Sequence, residues 1–117
     1  MVEGTGNNVL IVEDETLLAL MLEDLLLDIG HHVMHAESLP EALALVERER
    51  FDAAILDINI NGKDVFPLAV RLRELHTPFV FASAADHVDP QFSQEQLISK
   101  PYTIAQVQAS LDRMLSS

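Results

Sequence analysis

A parallel β-sheet covered on both faces by helices, an α/β fold, is the architecture expected of this chain. Three observations lead to it. Val9-Leu10-Ile11-Val12 and Ala53-Ala54-Ile55-Leu56 are short apolar runs bounded by polar residues, the pattern of strands buried on both faces. Segments with apolar residues at helical spacing lie between such runs. The two kinds of segment alternate along the chain, which places a parallel sheet between helical layers. The 117 residues suffice for one such domain and are too few for two.

The elements follow in order. Strand one is Val9–Val12. A helix is expected from about Glu15 to Ile29, with Leu18, Leu22, Leu25 and Ile29 as its apolar stripe and Gly30 as its stop. His32–Ala36 is a second strand of weaker pattern. Ser38-Leu39-Pro40-Glu41 matches a capping box, with proline in the tolerated first turn, and opens a helix to about Arg48. Strand three is Ala53–Asp57. Asn59-Ile60-Asn61-Gly62 is a turn cluster. A third helix follows, with Val65, Leu68, Ala69, Leu72 and Leu75 on one face, and Thr77-Pro78 breaks it. Phe79–Ala82 is strand four. Ala84 to Gln96 has weak periodicity and a central Asp89-Pro90, so at most one helical turn fits there. Leu97–Ser99 makes a short fifth strand. Thr103 and Gln106 match a second capping box, and Ile104, Val107, Leu111 and Leu115 form the last stripe. The sum is (βα)5 with a shortened or irregular fourth helix. Residues 1–7 form a polar lead-in and residues 8–117 a single domain.

Bulk properties exclude several classes of function. Hydrophobic residues make up 49% of the chain, which argues against disorder. There is no cysteine, hence no disulfide framework and no thiolate metal site. No apolar stretch approaches the roughly 20 residues that span a bilayer, and the first residues lack the basic and apolar regions of a signal peptide. A net charge of -12 disfavours nucleic acid and anionic lipid as partners. A cytoplasmic protein is expected. The histidines His31, His32, His35, His76 and His87 are read as surface residues rather than a metal cluster, and Met21, Met34 and Met114 as core filler. Glu47-Arg48-Glu49-Arg50 is read as a solvated helix end.

The chemistry concentrates at strand ends. Glu13 and Asp14 follow strand one, Asp57 ends strand three, Ser83 follows strand four, and Lys100 follows strand five and precedes Pro101. In a parallel sheet these ends share one edge, where open α/β sheets bind ligands. Strands that finish in carboxylates imply an acidic pocket, and such a pocket invites a hard cation.

This set resembles the receiver domain of two-component response regulators. The matching pieces are Val9-Leu10-Ile11-Val12-Glu13-Asp14-Glu15, Ile55-Leu56-Asp57, Phe81-Ala82-Ser83-Ala84 and Ser99-Lys100-Pro101-Tyr102, and they extend the resemblance from about Asn8 to Leu115. The resemblance implies a flavodoxin-like, doubly wound, five-stranded parallel sheet. It implies that Asp57 accepts a phosphoryl group, a reaction open to a carboxylate nucleophile. The implied cofactor is Mg²⁺, or Mn²⁺ in its place, held by Glu13, Asp14, Asp57 and the backbone carbonyl of Asn59. Lys100 would pair with Asp57 at rest and with phosphoryl oxygens after transfer, aimed by a cis bond to Pro101. Ser83 would donate its hydroxyl to a phosphoryl oxygen and couple the chemistry to a surface switch.

The chain departs from the family pattern at several points. Leu97 stands where receivers usually carry an aromatic residue, and the 17 residues from Ser83 to Lys100 are fewer than is typical. Asn59-Ile60-Asn61-Gly62 replaces the common Met-Pro or Leu-Pro. With Pro78-Phe79-Val80-Phe81-Ala82-Ser83, it resembles the stand-alone "FAT GUY" receivers, although Ala84 and Asp86 replace that motif's glycine and tyrosine. Tyr102 matches a position often aromatic in the family and is expected to pack against the last helix.

Taken singly, each site residue has a plain alternative: Asp14 as a helix cap, Asp57 as a turn residue, Ser83 as a loop residue, Lys100 as a solvated cation. Taken together, the expectation is a single-domain response regulator without an output domain. It would receive phosphate from a sensor histidine kinase or a histidine phosphotransfer protein and pass the signal to a downstream protein target, or act in a phosphorelay or as a phosphate sink. It would turn over no external substrate and so would not be an enzyme in the usual sense. The alternatives are a phosphate-independent pseudo-receiver that binds protein and a small aspartyl phosphatase. The phosphatase would commonly need a second carboxylate where Asn59 stands.

Overall fold

The structure is a computed structural model that describes residues 7–83, 97–99 and 103–115. In chain order the elements are β1 (Asn8–Val12), α1 (Thr16–Ile29), β2 (His32–Ala36), α2 (Leu39–Arg48), β3 (Ala53–Leu56), β4 (Asn59–Ile60), β5 (Lys63–Asp64), α3 (Phe66–Glu74), β6 (Phe79–Ser83), β7 (Leu97–Ser99) and α4 (Ile104–Leu115). The segment 84–96, where the irregular fourth helix is expected, lies outside the described residues.

Five strands pair in the order β2-β1-β3-β6-β7, and each neighbouring pair is parallel. This is the expected doubly wound order: β3 is central, and from β1 the chain winds outward to β2 on one side and then through β3, β6 and β7 on the other. Successive side chains on a strand point to opposite faces, so each apolar run feeds two cores. Leu10, Val12, Ala54, Leu56, Phe79 and Phe81 join Leu45 of α2 and Leu68 and Leu72 of α3. Val9, Ile11, Ala53, Ile55, Val80 and Ala82 join Leu22 and Leu26 of α1 and Val107 and Leu111 of α4. The sheet is sealed on both sides, which is why its inner strands carry no polar alternation.

Local signals in the sequence set the helix ends. Ser38 Oγ accepts the Glu41 amide at 3.2 Å. Glu41 Oε1 reaches back to the Glu37 amide at 2.9 Å, one residue before the cap. The second box closes both ways: Thr103 Oγ1 accepts the Gln106 amide at 3.1 Å and Gln106 Oε1 accepts the Thr103 amide at 2.7 Å. Gly30 ends α1 in the left-handed region at φ 108, which only glycine enters without strain.

Several expectations need correction. The buried residues of α1 are Ala19, Leu22 and Leu26, with Leu25 partly buried against the same core; of the expected stripe, Leu22 and Leu25 face the core, Leu18 is half-buried and Ile29 is exposed. The helix is leucine-rich all round, so spacing alone allows several registers. The true one follows the small Ala19, which lets the helix approach the sheet. Leu17, Leu20, Met21 and Leu27 are left in solvent, so Met21 is surface; Met34 and Met114 do pack against the cores. Leu75 caps α3 and is partly exposed rather than part of its core face. Glu47 is not merely solvated: Arg71 of α3 donates Nη2 to Glu47 Oε1 at 2.8 Å and Nη1 to Glu74 Oε1 at 3.2 Å, strapping α3 to α2. At the amino edge of the sheet, a cavity of about 500 Å³ is lined by Asn7, Arg73, Pro78, Phe79, Met114 and Leu115, among others.

Candidate functional site

The site forms where β1 and β3 run side by side. Val12 pairs with Leu56, and beyond them the ladder continues one step: the Asp57 amide donates to the Val12 carbonyl at 2.9 Å and the Glu13 amide to the Ala36 carbonyl at 3.1 Å. These bonds fix both residues at the carboxyl edge. From there α1 returns over one face of the sheet, while the chain after β3 builds α3 on the other. The strand order therefore reverses between β1 and β3, which opens the crevice characteristic of doubly wound folds.

Glu13, Asp14 and Asp57 each place a carboxylate oxygen within 4.8 Å of the others. Each has a local anchor. Glu13 is buried, at 3% exposed, and Oε2 accepts the Glu15 amide at 3.1 Å. Asp57 Oδ1 accepts the Asn59 amide at 3.3 Å. Asp14 Oδ2 accepts the Asn61 amide at 2.9 Å. With oxygens no more than 4.8 Å apart, each charged pair repels by at least about 3.5 kcal/mol at an effective dielectric near 20. Three hard oxygen donors around one point, one of them buried, suit Mg²⁺ or Mn²⁺ and disfavour soft ions. The donor set thus fits the expected cation.

The turn cluster after Asp57 is a hairpin. Asn59 pairs with Asp64 and Ile60 with Lys63. Asn61 and Gly62 form its two-residue tip with φ 55 and φ 80, the left-handed pair of a type I′ turn that Asn-Gly favours. Ile60 is buried and roots the hairpin in the α2–α3 core. The Val65 amide bonds the Ile58 carbonyl at 2.8 Å, so the next pair, Asn59–Asp64, sits at a ladder position whose backbone groups point away from the partner strand. The Asn59 amide accordingly reaches Asp57.

Ser83 ends β6 in register with Ser99 of β7, on the same edge as the carboxylates. The position of its hydroxyl lies outside the description, as do Lys100, Pro101 and Tyr102. Two residues near the site escaped sequence reasoning. His35 is half-buried, not a plain surface residue, and its Nε2 lies 2.8 Å from the Glu13 carbonyl. A carbonyl can only accept, so Nε2 carries the proton. Asn61 bridges Asp14 and, through Nδ2, the Glu37 carbonyl at 3.0 Å; the Asn-Gly dipeptide marks the turn but not these contacts. His31 Nδ1 accepts the Asn7 amide at 3.3 Å. Among the described residues the acidic trio is the one cluster with metal-ligand spacing, and the histidines form none.

Comparison with known proteins gives a consistent picture. The family described as the response regulator receiver domain matches residues 9–112. The solution structure of SdrG from Sphingomonas melonis Fr1 is 38% identical with a TM-score of 0.84, covering 97% of this chain and 99% of that one. The response regulator protein FleR of Pseudomonas aeruginosa is 37% identical over 83 residues, 69% of this chain and 18% of FleR. The receiver domain of the sensor histidine kinase PA1611 from Pseudomonas aeruginosa PAO1, with a magnesium ion in its active-site cleft, shares the fold at 23% identity and a TM-score of 0.83, covering 97% of this chain and all of that one. Among the curated relatives it matches, the chain spans 18% of FleR and 51% of VanR from Enterococcus faecium.

Proposed function

Because the chain belongs to the response regulator receiver domain family, we propose that Asp57 is its phosphoacceptor and that Glu13, Asp14, Asp57 and the Asn59 carbonyl hold the Mg²⁺ that transfer requires. The observation that carries this is the convergence of Glu13, Asp14 and Asp57 at the β1–β3 crevice. The magnesium in the cleft of the PA1611 receiver supports the choice of ion. When bound, the cation neutralises charge on the transferred group and its acceptor.

The chain's own residues do the rest. A carboxylate oxygen of Asp57 attacks phosphorus, the P–N bond of a phosphohistidine donor breaks, and the imidazole leaves with the bonding electron pair. Asp57 becomes an acyl phosphate. Its backbone amide, tied to the Val12 carbonyl, holds the nucleophile in place. Ser83 and Lys100 supply a hydroxyl and an ammonium to the phosphoryl oxygens. The donor is a sensor histidine kinase or a phosphotransfer protein, and the phosphorylated domain signals to a protein target or relays phosphate. Water then hydrolyses the Asp57 acyl phosphate, releasing inorganic phosphate and restoring the carboxylate, and apart from the phosphodonor no external substrate is turned over.

The test is direct. Incubated with Mg²⁺ and acetyl phosphate, the wild type should gain the mass of one phosphoryl group, labile to hydroxylamine. Asp57→Asn should gain none, and chelation should abolish labelling. A wild type that binds no Mg²⁺ and gains no mass would point instead to a phosphate-independent binding module.

A further inference from the structure

We propose that the β4–β5 hairpin is a positioning device for the metal site, and that Asn61 at its tip sets the orientation of Asp14. This rests on the reading of the acidic trio as a Mg²⁺ site and extends it to a residue that is neither ligand nor nucleophile. Asp14 is only half-buried and follows the last residues of β1. Unlike Glu13 and Asp57, whose amides continue the β-ladder, it is held by a hydrogen bond from a residue 47 positions away: the Asn61 amide at 2.9 Å to Oδ2. With Oδ2 fixed by the hairpin, the rotation of the Asp14 carboxylate beside Glu13 and Asp57 is set.

The tip is in turn held at three points. Ile60 is 1% exposed and fixes the hairpin in the α2–α3 core. Asn59 Oδ1 accepts the Gly62 amide at 3.0 Å and closes the turn on itself. Asn61 Nδ2 donates to the Glu37 carbonyl at 3.0 Å, and the Glu37 amide is bonded by Glu41 of the α2 cap. The amide that meets Asp14 therefore depends on the left-handed backbone of Asn61, φ 55. Asparagine tolerates this conformation and a β-branched residue does not. Carboxylate orientation matters because Mg²⁺ demands near-octahedral geometry and tolerates little misdirection of its ligands, and groups that orient ligands commonly alter metal affinity 10- to 100-fold, so a factor of about 10 is expected.

The experiment is calorimetric titration of Mg²⁺ into the unphosphorylated chain, with the metal-free melting temperature as control for folding. Asn61→Val should weaken Mg²⁺ binding about tenfold. Asn61→Gly, which keeps both the amide and the left-handed turn, should stay within about threefold of wild type. In an Asp14→Asn background, Asn61→Val should produce no further loss. In acetyl phosphate labelling, Asn61→Val should raise the Mg²⁺ concentration for half-maximal rate more than it lowers the rate at saturating Mg²⁺.

Two results would overturn the inference while leaving the Mg²⁺ site standing. One is wild-type affinity in Asn61→Val. The other is an equal loss in the presence and absence of Asp14. Should Asn61→Val fail to fold, comparison of Asn61→Gly with Asn61→Ala decides the matter, with equal affinities overturning the inference. A wild type whose Mg²⁺ binding is absent, or is untouched by Asp14→Asn, removes the underlying site instead.

Discussion

Glu13 shows most clearly what the site costs the fold. A carboxylate that is 3% exposed, with two others near, is destabilising unless something answers its charge. Its Oε2 accepts the Glu15 amide, and a divalent ion among the three carboxylates would offset their mutual repulsion. Mg²⁺ should therefore stabilise the native state. At ten times its dissociation constant it should add about 1.4 kcal/mol to the free energy of unfolding, read by urea denaturation with and without chelator, and Asp14→Asn should lose most of that gain. Glu13, Asp14 and Asp57 were legible as a site because strand-terminal carboxylates in a parallel sheet must converge. His35 and Asn61 were not. Their contacts with Glu13 and Asp14 join segments 22 and 47 residues apart, and no local pattern records a histidine that donates to a backbone carbonyl.

Elements differ in how openly the sequence declares them. Strands β1 and β3 announce themselves because both faces are buried and, Asn8 at the start of β1 apart, every residue is apolar. The caps at Ser38 and Thr103 are equally plain, since a side chain three residues on must complete each box. The register of α1 is hidden by excess leucine: Leu17, Leu18, Leu20, Leu22, Leu25, Leu26 and Leu27 offer overlapping stripes, and contact with the sheet selects Leu22 and Leu26. Truncation tests the choice. Leu26→Ala, at a position 0% exposed, should cost about 2–5 kcal/mol. Leu17→Ala, at a position 75% exposed, should stay within about 0.5 kcal/mol. Chemical denaturation of the two variants measures the difference, and equal losses would refute this register.

At the level of the whole molecule, a chain with net charge -12 spends one arginine on holding two helices together. Arg71 keeps the Glu47 carboxyl below its usual value of 4.5, chiefly through their hydrogen bond, with desolvation acting the other way and the charge of Arg71 adding to the lowering. A carboxyl whose value falls on folding stabilises the fold when ionised. That contribution is complete above the unfolded value of 4.5 and fades as pH drops through the lower folded value. Glu47→Gln should therefore lower the melting temperature slightly at neutral pH and low salt. The gap from wild type should close on acidification below 4.5 and shrink in high salt, because the pair is solvent-exposed. Thermal melts across pH would show it, and a gap that widens in acid would contradict the strap.

Asn7 and Leu115 line the same cavity at the amino edge of the sheet, while Glu13, Asp14 and Asp57 occupy the carboxyl edge. A tether attached beyond either residue leaves from the pole opposite the acidic crevice. Such a chain can be immobilised, labelled or spliced end to end through a short bridge at the edge of the sheet away from the acidic crevice.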